Sequence, residues 1–432
     1  MSSTSDRAYV WTWLPGRVDP VPAGLLRATA DRRLAFAYGE RYLDRADAVP
    51  LYGLPLRSGY VDPPDGWSVP PAVADASPGR WGRRVIMDRL LHRTGGGGPT
   101  DGPDALTVLL ESGSDRAGAL DFQHSAEHYV ARGATTSLAD AYCAAWALES
   151  GQTLPDELRD ALTSSTGLGG SRPKVALRVQ GREMIATFAR PDDLVPVVRA
   201  EGLAIELARR AGLDVPLSMV TRAAGRDVLL VHRFDRSDDG ARRTVVSALT
   251  LSGEPEAGAH LVTYGVLRDA LLRLGDDPRS SARLFERIAF RMLVGSADDH
   301  ARNHAVFWDG RRLELTPAFG LRPSARAGAD AAPVLAYTDA GDRTPRVTAL
   351  VRAAHEYGLT RREADEIVDR LVATVHDEWD DAADAARLTQ AERDFLHDRQ
   401  FLDPDVLDGH PGTRAASTAP SAFEANHSRA SR

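Results

Sequence analysis

An acid and an amide, Asp298 and Asn303, stand five positions apart in LFERIAFRMLVGSADDHARNHAVFWDG, residues 284–310. The stretch opens with apolar residues at three- and four-residue spacing (Phe285, Ile288, Ala289, Met292, Leu293), which predicts a helix. A polar loop follows, holding Asp298, Asp299, His300, Arg302, Asn303 and His304, and Ala305 to Trp308 then reads as a short strand. An aspartate followed at this spacing by an asparagine, on a loop between helix and strand, suits phosphoryl transfer. The aspartate accepts the proton of the attacking hydroxyl and the asparagine holds a magnesium ion on the phosphates. The same residues fit two other readings: His300 and His304 suit a divalent metal, and a helix end followed by a solvated turn needs no chemistry at all.

Three other segments carry candidate residues. SSTGLGGSRPKVALRV places Gly167, Gly169 and Gly170 ahead of a strand, where backbone N–H groups can approach phosphate oxygens, and Lys174 adds a point charge. No GK[ST] is present, so this is not a Walker A loop, and an ordinary flexible loop fits as well. LLVHRFDR, residues 229–236, ends a strand in Arg233, Phe234 and Asp235. As a hinge between lobes it would offer backbone groups to adenine and Phe234 to cover the ring; as a plain strand end it would carry an exposed ion pair. Glu201 lies on an amphipathic helix, where a phosphate-orienting lysine would find its carboxylate partner, or where a surface glutamate would sit.

The elements that must position these residues run from strands to helices. AYVWTWLPG, VPAGLL and LAFAYGERYL in residues 8–60 are strand-like runs broken by Gly and Pro. Residues 61–80 read as irregular, 80–93 as a helix, and Gly95–Gly98 as a linker or exposed turn. ALTVLLESG reads as a helix, 118–122 as a strand, and 126–162 as helical. VALRV and EMIATFA flank Gln180-Gly181 as a tight hairpin, a helix over 194–211 ends at Gly212, and DVLLVHRFD is a strand. From about 244 the pattern is mostly helical, with capping boxes at Thr360/Glu363 and Thr389/Glu392. Residues 405–432 are small, polar and aperiodic, which predicts a disordered tail. A β-rich module, a mixed segment and a helical half is the layout of a bilobal kinase.

The 432 residues are 43% hydrophobic and 26% charged, ordinary values for a globular chain. The net charge of −8 argues against a surface that coats nucleic acid. One cysteine, Cys143, excludes a disulfide framework and a cysteine zinc site; its run, ADAYCAAWALES, predicts a small core residue. No run approaches the roughly 18 apolar residues of a membrane span, and no signal peptide is apparent, so a cytoplasmic protein without membrane contact is expected.

Together VWTWLPGRV, DASPGRWGRRVI, SDRAGALDF, GGSRPK, LLVHRFDR and ERIAFRMLVGSADDHARNHAVF resemble the HipA family, the toxin kinases of toxin–antitoxin pairs, over about residues 8–400. The resemblance implies an α+β, bilobal kinase-like fold: a β-rich N-terminal subdomain (8–125), then a core (150–400) with a small α/β lobe and a larger all-helical C-terminal lobe. It implies ATP- and Mg2+-dependent phosphorylation of serine or threonine on a protein, with translation components such as an aminoacyl-tRNA synthetase as the target class. The implied partner is a small DNA-binding antitoxin, with no sequence-specific nucleic-acid contact of the chain's own. In this frame Asp298 is the general base, Asn303 a magnesium ligand, Gly167 to Lys174 the phosphate loop and residues 232–235 the hinge. Three positions depart from the family. Thr187 stands where the family has its strand lysine, Gly320 in Pro317-Ala318-Phe319-Gly320 where it has its second magnesium-binding acid, and Gly167 where it has an autophosphorylated serine. Those departures leave open a catalytically silent pseudokinase that binds nucleotide or protein. Lys174, Arg178 or Arg190 are available to restore charge, and Asp299, Asp309 or Glu314 to bind metal.

Overall fold

The computed structural model describes residues 6–93, 102–133, 136–296, 298–323, 335–397 and 399–410. The linker expected at Gly95–Gly98 and most of the expected tail lie outside them.

The N-terminal subdomain is an antiparallel sheet backed by helices. Strands β1 (Arg7–Thr12), β2 (Val21–Ala28) and β3 (Leu34–Tyr38) lead into helices α1 (Glu40–Leu43), α2 (Pro71–Asp75), α3 (Arg80–Arg93) and α4 (Ala105–Glu111), and β4 (Leu120–Gln123) returns beside β1 in the order β3-β2-β1-β4. Period-two alternation turns Ala8, Val10, Leu26, Phe36 and Phe122 to one face, where Leu106, Leu109 and Leu110 of α4 cover them. The segment 61–80, expected to be irregular, contains α2: Pro71 occupies its first turn, where the missing N–H costs nothing.

Residues 126–162 are not one helix. Helix α5 (Leu138–Glu149) starts only where the Ser137 hydroxyl accepts from the Asp140 N–H, and α6 (Asp156–Thr163) follows Pro155. Cys143 is exposed and not in the core. Helix α5 buries Ala141, Tyr142, Ala144, Ala145 and Leu148, and residue 143 falls on its outer face.

The small lobe is a second antiparallel sheet, β5 (Lys174–Val179), β6 (Arg182–Phe188), β7 (Ser218–Ala223) and β8 (Arg226–His232), ordered β5-β6-β8-β7, with α7 (Val197–Arg210) inserted before β7. Gln180 and Gly181 close the β5–β6 hairpin with φ of 50° and 83°, the left-handed pair that a two-residue turn needs. Helix α7 buries Val198, Leu203, Ala204 and Leu207.

The C-terminal lobe is mostly helical but not wholly so. Between β9 (Thr244–Ser247), β10 (Ala305–Trp308) and β11 (Leu313–Leu315), paired in the order β11-β10-β9, run α8 (Ala248–Ser252), α9 (Tyr264–Leu274) and α10 (Ser280–Leu293). Strand β10 is the one expected at Ala305 to Trp308, whereas β9 lies where a mostly helical pattern is expected. Then come α11 (Val347–Arg352), α12 (Arg361–Asp377), α13 (Trp379–Ala385), α14 (Gln390–Leu396) and α15 (Pro404–Leu407), and both expected capping boxes are formed. Order therefore extends past 405: Val406, Leu407 and His410 are buried. No helix among the described residues is long and apolar enough to cross a membrane.

The N-terminal subdomain is docked on the core through polar contacts. Trp308 donates its indole N–H to Pro50 O (2.8 Å), Trp67 donates to Gly253 O (3.0 Å), and Asp75 accepts from the N–H and hydroxyl of Ser247 at 2.8 and 2.6 Å.

Candidate functional site

Helix α10 ends at the loop it must position, and its buried Arg291 holds that loop. The guanidinium donates to Phe319 O (2.6 Å), Gly320 O (3.3 Å) and Asn303 O (3.5 Å), and lies 3.5 Å from the Asp299 carboxylate. One side chain thus ties the 298–303 loop to the Pro317–Gly320 segment. Asp299 is buried; it accepts from the Tyr264 hydroxyl at 2.6 Å and from His304 Nε2 at 2.5 Å. Burial alone would raise its carboxyl, but His304 and Arg291 beside it hold it below the usual range. Burial drives His304 down to about 4 against the pull of Asp299, so near neutrality the imidazole is uncharged and the cation facing Asp299 is Arg291. Neither Asp299 nor His304 is available to a ligand. His300 is exposed, 3.5 Å from Asp298, and accepts from the Arg302 N–H. Among the described residues no group of three or more His, Cys, Asp or Glu is placed to hold a metal ion, so the histidine-metal reading of this loop finds no ligand set.

Asp298 and Asn303 are brought together. The Asn303 amide donates to Asp298 O (2.6 Å), and the half-exposed Asp298 carboxylate accepts from Arg322 Nη1 at 3.0 Å. Gly320 has φ of +62°, and a Cβ there would lie 3.1 Å from Asn303 Oδ1. The position without its acid therefore abuts the asparagine.

The facing wall comes from the small lobe. Lys174 on β5 pairs in register with Thr187 on β6. A Cβ on Gly170 (φ +77°) would meet the Lys174 ammonium at 2.5 Å, so the glycine leaves room for it. Burial and the nearby Arg322 lower the Lys174 amine to about 8, with Glu201 opposing. Glu201 is buried on α7, not on the surface, and Arg322 Nε lies 3.6 Å from its carboxylate. Arg322 thus reaches both Glu201 above and Asp298 below.

The remaining candidates are placed elsewhere. Gly167 packs against Arg116, whose Cγ would be 2.5 Å from an added Cβ, and its carbonyl accepts from Ala117. Gly169 forms the turn with Gly170 at φ +73°. The Arg233 and Asp235 side chains are buried in a network joining the core to the N-terminal subdomain: Arg233 bonds Asp235 at 2.9 and 3.0 Å, Asp115, and Arg116 O at 2.6 Å, while Asp235 accepts from the Gly118 N–H at 2.8 Å. The ion pair at this strand end is therefore buried. Phe234 lies 5.4 Å from Phe319 and 5.8 Å from Phe307 of β10, ring to ring. Arg178 pairs with Glu183 and Glu314 with Arg243; Asp309 accepts from Arg311 and Arg312 in the β10–β11 turn; Arg190 bonds Ser171 O. Sequence reasoning missed Arg291, Tyr264 and Arg322. A cation inside the apolar face of α10 was the one available sign of Arg291.

Two family models match the chain, the HipA N-terminal domain over residues 17–123 and the HipA-like C-terminal domain over 166–379. The chain belongs to the HipA family. A solved HipA from Shewanella oneidensis MR-1, in a complex with HipB and operator DNA, superposes with a TM-score of 0.63 at 17% identity, covering 90% of this chain and 94% of that one. That likeness establishes the bilobal HipA fold. An inferred kinase of Sinorhizobium fredii, Y4mE, is 26% identical over 158 residues, 34% of this chain and 38% of that protein. The chain thus matches well under half the length of that relative.

Proposed function

We propose that this HipA-family chain is a cytoplasmic serine/threonine protein kinase. ATP would lie between the β5–β8 sheet and the 298–303 loop, with its γ-phosphoryl passed to a protein of the translation machinery. The observation that carries the reading is the Lys174–Thr187 pair. Cross-strand neighbours lie about 5 Å apart, so the lysine missing at 187 is offered by the adjacent strand, beside Glu201. In the transfer, the substrate hydroxyl oxygen bonds to the γ-phosphorus as the bond from that phosphorus to the β–γ bridging oxygen breaks. ADP keeps the bond's electron pair, and the hydroxyl proton goes to the Asp298 carboxylate. Lys174 would hold the phosphates, Gly169 and Gly170 would present backbone N–H groups to them, and Phe234, on Phe319, would sit under the base.

Magnesium, which the family implies, fits these residues poorly. Gly320 supplies no carboxylate and Asp298 already faces a guanidinium, so Asn303 Oδ1, left open because the amide bonds Asp298 O through its N–H, would be a lone neutral ligand.

The Shewanella protein's HipB and DNA complex supports a small DNA-binding antitoxin as partner. A second reading, a silent binding module, is favoured by the Arg322–Asp298 pair and by Gly320. Transfer of labelled γ-phosphate to purified host aminoacyl-tRNA synthetases tests the choice. Label should appear with the native protein and fall on the order of 100-fold or more with Asp298→Asn. Equal label, or none in either, would leave the silent module.

A further inference from the structure

Arg322 stands where a kinase-type site needs a cation. Its guanidinium is mostly buried between the lobes, with Nη1 3.0 Å from Asp298 and Nε 3.6 Å from Glu201. Nε is buried without a hydrogen-bond partner, so the group keeps an unspent donor inside the cleft. Lys174 is close enough for Arg322 to depress its amine. Two cations and two carboxylates therefore share the space between β5, α7 and the 298–303 loop, and the residue at 320 adds no charge to them.

A carboxylate pair needs a divalent ion before it can tolerate a polyphosphate; a site with a resident guanidinium does not. Guanidinium binds phosphate oxygens through paired N–H donors, and unlike a metal ion it cannot be chelated away. We propose that Arg322, with Lys174, forms a built-in cationic clamp that binds the phosphates of a nucleoside triphosphate without a divalent cation. Arg322 thereby does in this chain the charge-neutralising work that Gly320 has lost. On binding, the guanidinium exchanges its contact with Asp298 for phosphate oxygens, which frees that carboxylate.

The inference rests on the nucleotide reading above, and its test separates the two. ATP is titrated calorimetrically into the full-length protein in excess magnesium and, separately, in EDTA, and into Arg322→Gln under both conditions. The expected result is affinity for the native protein that changes less than about threefold between magnesium and EDTA, and a loss on the order of tenfold or more in Arg322→Gln. A cooperative thermal transition well above the assay temperature should show that Arg322→Gln is folded, and Arg322→Lys should recover part of the affinity. ATP binding that vanishes in EDTA, or that Arg322→Gln leaves intact, would overturn the clamp while leaving the nucleotide site. No binding under any condition would overturn both.

Discussion

Lys174 and Thr187 face each other across the β5–β6 ladder, the lysine on the strand that the glycine turn enters and the threonine where the family resemblance implies a lysine. On the reading proposed above, the Lys174 ammonium would serve the cleft from the strand opposite Thr187. A two-stranded hairpin permits this because directly opposite residues share a face of the sheet.

Arg291 is the second relationship with consequences. Its guanidinium serves three carbonyls and one buried carboxylate, and no shorter side chain spans them. Arg291→Ala should cost about 3–5 kcal/mol, the scale for a buried charge left without its partner, and equilibrium urea unfolding would measure it. A loss below about 1 kcal/mol would mean that the loop is held by something else.

The Asp299–His304 pair makes stability depend on pH with a definite sign. Burial lowers the His304 pKa to about 4 in the folded chain, whereas the unfolded histidine titrates near 6.5. As pH falls below 6.5 the unfolded state takes up a proton that the folded state refuses. This share of stability is therefore full above 6.5 and is lost toward 4, by up to about 3 kcal/mol. His304→Asn, which retains a donor, should lack that slope. Asp299, whose carboxyl is depressed, adds its own loss only at lower pH, in both proteins. Identical pH slopes for the two proteins would refute the assignment.

Arg233 and Asp235 should behave as a buried pair and not as nucleotide contacts. Arg233→Ala leaves Asp235 and Asp115 short of a cation and should destabilise by roughly 3–5 kcal/mol, whereas Arg233→Leu with Asp235→Leu should cost less than either single change. Chemical denaturation of Arg233→Leu, Asp235→Leu and the double variant checks the order. A double variant worse than both singles would contradict it.

These outcomes bear on how much a sequence of this kind discloses. The helix at Phe285–Leu293, the Asp298–Asn303 loop and the Gln180-Gly181 hairpin were legible because periodicity and turn chemistry are local. HipA membership was legible too, through motifs spread along most of the chain, and the family models bear it out. Arg322 was not legible, since its meaning depends on Glu201 and Asp298 meeting it from positions more than twenty residues away. The pairing of Arg233 with Asp115 was hidden for the same reason. Cys143 was misplaced because a helix rich in alanine has no sharp polar face from which to judge its inner side. The four-residue strand β9 was too short to show its period.

The account turns on Lys174, and one measurement addresses it most directly: ATP affinity of Lys174→Ala and of Lys174→Ala combined with Thr187→Lys. The expected result is a loss on the order of tenfold or more in the single variant, with recovery of most of it in the double variant, whose lysine returns to the opposite strand. An unchanged affinity in Lys174→Ala would contradict the account.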